Sequence, residues 1–253
     1  MSSDSRFSDL GEAVVIDVET TGLDKDSDRI ISIAALRVDM SAIQPGQDAA
    51  VDYFTADLDP GIPIEADATA VHGVTDDDVK GRDSFADIAD SLREFIGDRP
   101  LVGHNVAFDK RFLQNEFKRN NGASIWKNKP YCTQKRAGYY FWRTKSGAKK
   151  PSLDQTLKVF DIQGREGTHH GAYEDALLTL NLAAKLKQMD ELPGDAGERW
   201  RQMFGHQRGA QQSVKKARHA PNGGTNEPNP AMGWVIKIAL FIVVASTIAF
   251  FSF

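Results

Sequence analysis

The sequence lacks the features of a secreted protein and of a uniformly basic one. It has one cysteine, Cys132, in 253 residues, so no disulfide framework can form within the chain and a reducing compartment is expected. The first thirteen residues contain no apolar run, so we expect no secretory signal. The formal net charge of -4 excludes proteins that bind nucleic acid through an overall positive surface. Any contact with nucleic acid must therefore be local.

Long apolar runs are also missing, except in the last 21 residues, Gly233 to Phe253. As a helix this run would be roughly 30 Å long, enough to cross a bilayer. Lys237 is its only charge and is close to its start, where the amine can reach the interface. A buried core helix of this length would be expected to have a polar face. The run therefore predicts a single-pass C-terminal transmembrane helix.

Residues 191–232 differ in composition from the rest, being low in large apolar residues and rich in Gly, Pro, Asn and Gln. This range is predicted to be a linker. Every charge from Arg199 to His219 is positive. Contact with anionic lipid and a solvated charged linker both explain these charges, and the two can hold together. By the positive-inside rule they predict a membrane protein with its N-terminal domain in the cytoplasm. The spacing of Ala245 and Ala249 could pack two spans into a homodimer.

The remaining chain alternates strand-like and helix-like segments without an internal repeat, which predicts an α/β domain over residues 12–190 after a flexible N-terminus at 1–11. The predicted strands are Val14–Val18, Ile30–Val38, Val51–Phe54 and Pro100–Asn105, and the predicted helices are Phe85–Ile96, Val106–Arg119, Ser152–Phe160 and Gly171–Met189. The first two strands have a short connection and are expected to be antiparallel. A mixed β-sheet flanked by helices is therefore predicted.

Two acids interrupt the first apolar strand. Asp17 and Glu19 are two residues apart, so their side chains point to the same face of the strand, beside Val15. Burying ionised carboxylates is strongly unfavourable unless a cation or hydrogen-bond donors accompany them. Alone, the pair is more often a set of caps or loop ligands than a metal site.

Two further acids occupy apolar helix faces. Asp109 is in helical register with Leu113 and Phe117, and Asp175 is in register with Leu178. His170 can share a site with Asp175 only if it precedes the regular helix, because five helical steps would turn it away. Four inward acids on three segments indicate a metal cluster, and hard oxygen ligands favour Mg²⁺ or Mn²⁺ over zinc.

Three segments that contain these residues resemble the three motifs of the DEDDh (DnaQ-like) exonuclease family, which includes the epsilon proofreading subunit of bacterial DNA polymerase III and ribonuclease T. They are "VVIDVETTGLD", "VGHNVAFDKRFL" and "HHGAYEDALLTL", and "VHGVTDDDV" at residues 71–79 resembles a further common segment. The resemblance covers about residues 12–190. It implies a ribonuclease H-like fold and a 3′–5′ exonuclease that releases nucleoside 5′-monophosphates.

The resemblance also implies roles for individual residues. Asp17, Glu19, Asp109 and Asp175 match the acids that bind two Mg²⁺ or Mn²⁺ ions, and His170 matches the general base. The residues assigned to the substrate are Thr20, Thr21, Gly22, Leu23, His72, His104 and Asn105. The Thr20–Leu23 turn is expected to meet the terminal nucleotide through backbone groups and the Leu23 side chain. His72 is either part of that pocket or only a turn residue.

The expected partners are single-stranded DNA or RNA 3′ ends, with DNA favoured, together with the membrane. A catalytically silent membrane adaptor and an oligoribonuclease-type enzyme remain alternatives, and no tail motif supports a polymerase partner. Eight basic residues and no acid lie between Trp126 and Lys150, with aromatic residues interleaved. This mixture is typical of single-strand binding, although a solvated face above packed aromatics explains it equally well.

Overall fold

The computed structural model describes residues 6–46, 51–120, 127–140, 150–165 and 167–204. In this part of the chain the strands form one five-stranded mixed sheet in the order β3-β2-β1-β4-β5. The strands are β1 Glu12–Thr20, β2 Ile30–Asp39, β3 Asp52–Asp57, β4 Leu101–Gly103 and β5 Pro130–Cys132. The helices with defined bounds are α1 Ala66–His72, α2 Asp76–Val79, α3 Phe85–Ile96, α4 Ala107–Arg119, α5 Thr133–Tyr140, α6 Leu153–Val159 and α7 Ala172–Glu191.

Strand β1 lies at the centre of the sheet and is covered on both faces. It pairs antiparallel with β2 and parallel with β4. Its apolar residues alternate between two cores: Val15 packs with the residues of α7, whereas Ile16 packs with those of α3 and α4. A run of branched apolar residues is what such a doubly covered strand requires. The acids of β1 therefore lie at the end of the most enclosed strand.

The predicted mixed sheet flanked by helices is confirmed, including the antiparallel pairing of the first two strands. Of the strands and helices named above, four were not predicted: α1, α2, α5 and the short strand β5. Strand β5 has only three residues, which are too few to show the alternation of apolar and polar residues that predicts a strand. It is stabilised by parallel pairing with β4.

Both ends of the folded domain extend beyond the predicted bounds. Phe7 is buried, and its backbone amide donates a hydrogen bond of 2.7 Å to Asp190 Oδ2, so this part of the predicted flexible N-terminus packs on the domain. Residues 196–204 are helical, and the rings of Trp200 and Phe204 lie 5.4 and 5.9 Å from that of Phe160. The start of the predicted linker thus packs on the core, because its few large apolar residues share one helix face.

None of the helices within residues 6–204 combines the length and the apolarity needed to traverse a bilayer. The predicted span at 233–253 and the basic segment beyond residue 204 lie outside the described residues.

Candidate active site

The site begins at the carboxyl end of β1, where Asp17 and Glu19 follow Val15 on one face. Asp17 pairs across the sheet with Ala34 of β2, which packs in the same core as α7. Cross-strand partners share a face, so Asp17 and Glu19 both point toward the α7 side. The strand alternation predicted this direction.

Asp109 reaches the same point from the other side of the sheet. Strand β4 runs parallel to β1, so the helix that follows it, α4, begins at the same edge of the sheet. Asp109 lies in the first turn of α4 and is 4% exposed. The amide of Val18 hydrogen-bonds to its carboxylate, but Asp109 Oδ2 has no hydrogen-bond partner among the described residues. A buried oxygen without a partner needs a cation or a donor that the protein does not supply.

The third segment enters at the start of α7. The cap residue Gly171 has an extended backbone, with φ -144° and ψ 128°, so His170 precedes the helix as predicted. His170 Nδ1 lies 3.2 Å from Asp175 Oδ2. One ligand atom each from Glu19, His170 and Asp175 lie within 4.8 Å of one another. Asp109 interacts electrostatically with Asp17 and Glu19, so the three separated segments meet around one group of acids, called the acidic pocket below.

His169, the residue before His170, has a different environment. The loop that carries both histidines lies against the end of α1, because the backbone amide of His170 donates a 3.1 Å hydrogen bond to the carbonyl of Val71. Gly73 has a φ of 76°, and a β-carbon there would lie 2.9 Å from the ring of His169. His169 thus packs on a glycine turn, while His170 faces the carboxylates.

The electrostatics of the pocket show four acids short of positive charge. Burial raises the pKa of Glu19 to about 8, with further contributions from Asp175 and Asp109. Burial likewise raises the pKa of Asp109 to about 7. The pKa of Asp17 is raised well above its ordinary value by burial and then by the charges of its three acidic neighbours. Burial also raises the pKa of Asp175, although Arg165 and His170 oppose it.

Sequence reasoning missed Arg165. Its Nη2 donates a 2.6 Å hydrogen bond to Asp175 Oδ1, and its Nη1 lies 3.4 Å from Asp154 Oδ2. A single arginine in "GREGTHH" has no periodicity or partner spacing, so only the path of the loop between α6 and α7 reveals its position.

Thr20, Gly22 and Leu23 of the turn line a cavity of about 590 Å³, together with Glu19. The hydroxyls of Thr20 and Thr21 are used within the turn, donating to the Gly22 carbonyl at 2.6 Å and to Asp28 Oδ1 at 2.9 Å. A β-carbon at Gly22 would lie 2.5 Å from Asp28 Oδ2, which explains the glycine. Leu23 is 83% exposed. The turn therefore presents backbone and one apolar side chain, not hydroxyls.

His72 lines this cavity and also stabilises the turn. Its Nε2 lies 3.3 Å from the Thr20 carbonyl, and its Nδ1 accepts a 3.1 Å hydrogen bond from the amide of Val74. Burial lowers the pKa of His72. A neutral ring with both nitrogens engaged combines the two roles that the sequence left open.

The remaining two residues assigned to the substrate are placed differently. His104 Nδ1 lies 3.0 Å from Thr133 Oγ1 and its Nε2 lies 3.3 Å from the Pro151 carbonyl, so both nitrogens already have protein partners and the ring joins β4 to α5. Asn105 has a φ of 70°, a conformation that Asn tolerates better than most residues. It makes the turn from β4 into α4.

The basic and aromatic segment is described only in part, because residues 141–149 lie outside the described ranges. Tyr131 and Tyr140 are buried in the core. Arg136 forms an ion pair with Asp190. These three side chains are structural, and the predicted strand contact remains a prediction for the others.

The donor set fits a hard divalent cation. Asp17, Glu19, Asp109 and Asp175 supply carboxylate oxygens, which Mg²⁺ and Mn²⁺ prefer. The unpartnered Oδ2 of Asp109 and the raised pKa values of all four acids indicate a site built for more positive charge than Arg165 brings.

Comparisons with known proteins agree with this geometry. The exonuclease family that includes ribonuclease T matches residues 14–183. A PolC-type DNA polymerase III of Listeria innocua is 35% identical over 172 residues, which are 68% of this chain and 11% of the polymerase. The epsilon subunit of DNA polymerase III from Aquifex aeolicus is 31% identical over 176 residues, covering 70% of this chain and 80% of that subunit.

A solved structure extends the comparison to the fold. E. coli exonuclease I in complex with a dT13 oligonucleotide has a TM-score of 0.56 at 19% identity, covering 82% of this chain and 46% of the other. The match to the family spans more than half of the chain. The chain therefore belongs to the exonuclease family and has its ribonuclease H-like fold.

Proposed function

We propose that this protein is a divalent-metal-dependent 3′–5′ exonuclease that acts on single-stranded ends, with DNA favoured over RNA. The observation that carries the proposal is the cluster of Glu19, His170 and Asp175, whose ligand atoms lie within 4.8 Å of one another. The buried acids Asp17 and Asp109 interact electrostatically with this cluster. Members of the exonuclease family use divalent metal ions. A module that only binds has no need for this set of buried, mutually repelling acids.

Asp17, Glu19, Asp109 and Asp175 would hold two Mg²⁺ or Mn²⁺ ions. When bound, such ions activate water and neutralise charge on the scissile phosphate and the leaving oxygen. His170 takes the proton of the attacking water. Its Nδ1 faces Asp175, which favours a proton on Nδ1 and leaves Nε2 free as the base. The side chain is 35% exposed, so water can reach it.

The terminal nucleotide occupies the cavity beside Glu19. Its volume of about 590 Å³ is within the ~300–1,000 Å³ typical of small-ligand sites. Leu23, Val71 and Phe108 supply apolar surface for a base or sugar. The carboxylate of Glu19, which lines the cavity, disfavours an additional phosphate, and this fits a 3′ end with a free hydroxyl.

The preference for DNA rests on the relatives. One of the relatives named above is a PolC-type DNA polymerase III and another is the epsilon subunit of DNA polymerase III, and the similar exonuclease I was solved with a dT13 oligonucleotide. The aligned segment is only 11% of the polymerase, so substrate and pathway are part of the proposal.

The test uses residues 1–204, which include the helix after α7, with Mg²⁺ or Mn²⁺. Substrates labelled at the 3′ or the 5′ end, single-stranded and double-stranded, are supplied as DNA and as RNA. We expect stepwise loss from the 3′ end of single-stranded DNA and no activity of Asp17→Asn. If no substrate is shortened, or if Asp17→Asn is as active as the wild type, the proposed exonuclease activity is refuted.

We further propose that residues 233–253 tether this enzyme to a membrane, with the basic residues before them on the cytoplasmic side. The support is the sequence alone, with its 21-residue apolar run and single charge. Fractionation of cells that express the full chain, with residues 1–204 as the matched control, tests it. Recovery of both proteins in the soluble fraction refutes the tether, and crosslinking of the full chain tests for the homodimer.

A further inference from the structure

Arg165 lies inside the acidic pocket although nothing in the proposed chemistry requires it. Its side chain is 5% exposed and bridges Asp175 of α7 and Asp154 of α6. Its Nε has no hydrogen-bond acceptor among the described residues. A buried guanidinium with one unused N–H donor is stabilised mainly by attraction between its charge and the carboxylates, because its hydrogen bonding is incomplete.

Both carboxylate oxygens of Asp175 already have partners. Oδ1 accepts from Arg165 Nη2 at 2.6 Å, and Oδ2 lies 3.2 Å from His170 Nδ1. A magnesium ion would have to sit about 2.0–2.1 Å from one of these oxygens. An ion that close to Oδ1 would be a few ångströms from the guanidinium, and two cations at that distance beside a buried carboxylate repel strongly.

The charge of Arg165 reaches beyond Asp175. Its guanidinium is also close enough to Asp17 and Glu19 to attract both carboxylates electrostatically. In the metal-free protein the arginine thus supplies part of the positive charge that four crowded acids need. Two divalent ions would balance four carboxylates completely, and the arginine would then be a surplus charge.

An alternative position for the Arg165 side chain lies beside the pocket. A cleft of about 740 Å³, lined by Asp154, Lys158 and Arg165 among others, lies beside the loop. Asp154 is 52% exposed and remains available as a partner after the bond to Asp175 breaks. The guanidinium can therefore leave Asp175 without becoming an unpaired buried charge.

We propose that Arg165 is a positioning residue that holds Asp175 in the metal-free protein and competes with the divalent cation for that carboxylate. The inference rests on the proposed function in taking the four acids as the metal site. If Arg165 competes with the cation, its removal should tighten metal binding. If the ion pair only keeps Asp175 in place for the metal, removal of Arg165 should weaken metal binding.

The experiment measures Mn²⁺ binding by isothermal titration calorimetry, without nucleic acid, on the full chain in detergent. The variants are Arg165→Gln, Arg165→Lys and, as a matched control, Lys158→Gln, which removes an equal charge from the same cleft. We expect Arg165→Gln to lower the dissociation constant by about tenfold to a hundredfold, the range of one hydrogen bond to a charged group. Arg165→Lys should fall between it and the wild type, and Lys158→Gln should change binding less than about twofold.

A second readout is thermal unfolding in EDTA. Arg165→Gln should unfold at a lower temperature than the wild type without metal, and the order should reverse in saturating Mn²⁺. If Arg165→Gln is folded and binds Mn²⁺ as the wild type does, or more weakly, the competition is refuted. If Arg165→Gln does not fold, Mn²⁺ binding by Arg165→Lys is the test, and binding no tighter than that of the wild type refutes the competition. A protein that shows the tighter binding yet cleaves no nucleic acid would refute the proposed function and leave this inference intact.

Discussion

Replacing Glu19 with glutamine should stabilise the metal-free protein. In the unfolded chain this carboxyl group titrates near its ordinary pKa of 4.5, whereas in the folded protein burial and neighbouring acids raise the pKa to about 8. The folded state therefore binds the proton more tightly. Its stability is greatest below pH 4.5 and falls as the pH rises through the folded pKa. The glutamine cannot ionise, so it removes this loss.

The magnitude follows from the separation between pH 7 and the ordinary pKa. About 2.5 pH units at about 1.4 kcal/mol each give about 3.5 kcal/mol at pH 7. For a domain of this size that is roughly 7–14 °C in melting temperature. At pH 5 the same reasoning leaves less than about 1 kcal/mol. The gain from Glu19→Gln should therefore grow between pH 5 and pH 8.

The assay is urea unfolding of residues 1–204 in EDTA at pH 5, 7 and 8, followed by circular dichroism. Glu12→Gln is the matched control: it lies on the same strand, and its ion pair with Arg99 is at the surface, so we expect a change below about 1 kcal/mol at each pH. With saturating Mn²⁺ the advantage of Glu19→Gln should disappear, because the variant loses a metal ligand. Equal stability of the variant and the wild type in EDTA at pH 8 would show that Glu19 is not held in an acidic, cation-deficient pocket.

Three further predictions concern separate features. His170→Ala should lower the rate of cleavage by roughly 10²–10⁴-fold while leaving the Mn²⁺ dissociation constant within a few-fold; complete loss of Mn²⁺ binding in calorimetry contradicts the general-base assignment. Gly22→Ala places a methyl group against Asp28 and should lower the free energy of unfolding by about 1–3 kcal/mol, measured in urea, with an unchanged midpoint arguing against the close approach. Residues 1–190 should unfold at a lower urea concentration than residues 1–204, because the shorter chain lacks the aromatic contacts to Phe160; equal midpoints would mean that the last helix adds no stability.

Helical and strand periodicity predicted more of the site than of the domain boundaries. The register of α7 placed Asp175 on a buried face and required His170 to precede the helix, and both positions are found. The predicted end of the domain at residue 190 was too early, because Trp200 and Phe204 are two apolar residues in a mostly polar segment. Their packing depends on Phe160, forty residues away along the chain.

Residues with polar side chains near a motif were harder to assign. His104 follows β4 in "VGHN", which suggested a substrate contact, but both of its ring nitrogens face protein atoms. The partner of its Nε2, the Pro151 carbonyl, is far away in sequence. No local pattern shows that a hydrogen-bonding group is already satisfied.

By itself, the sequence determined which faces of β1, α4 and α7 carry acids, because side-chain direction follows from the local period of each element. Only the tertiary structure decided that these faces meet, since the parallel pairing of β4 with β1 brings the start of α4 to the end of β1. The same is true of Arg165, whose position depends on the path of one loop. Periodicity is a local property of the backbone, whereas the charge balance of a buried site is a sum over segments that only folding brings together.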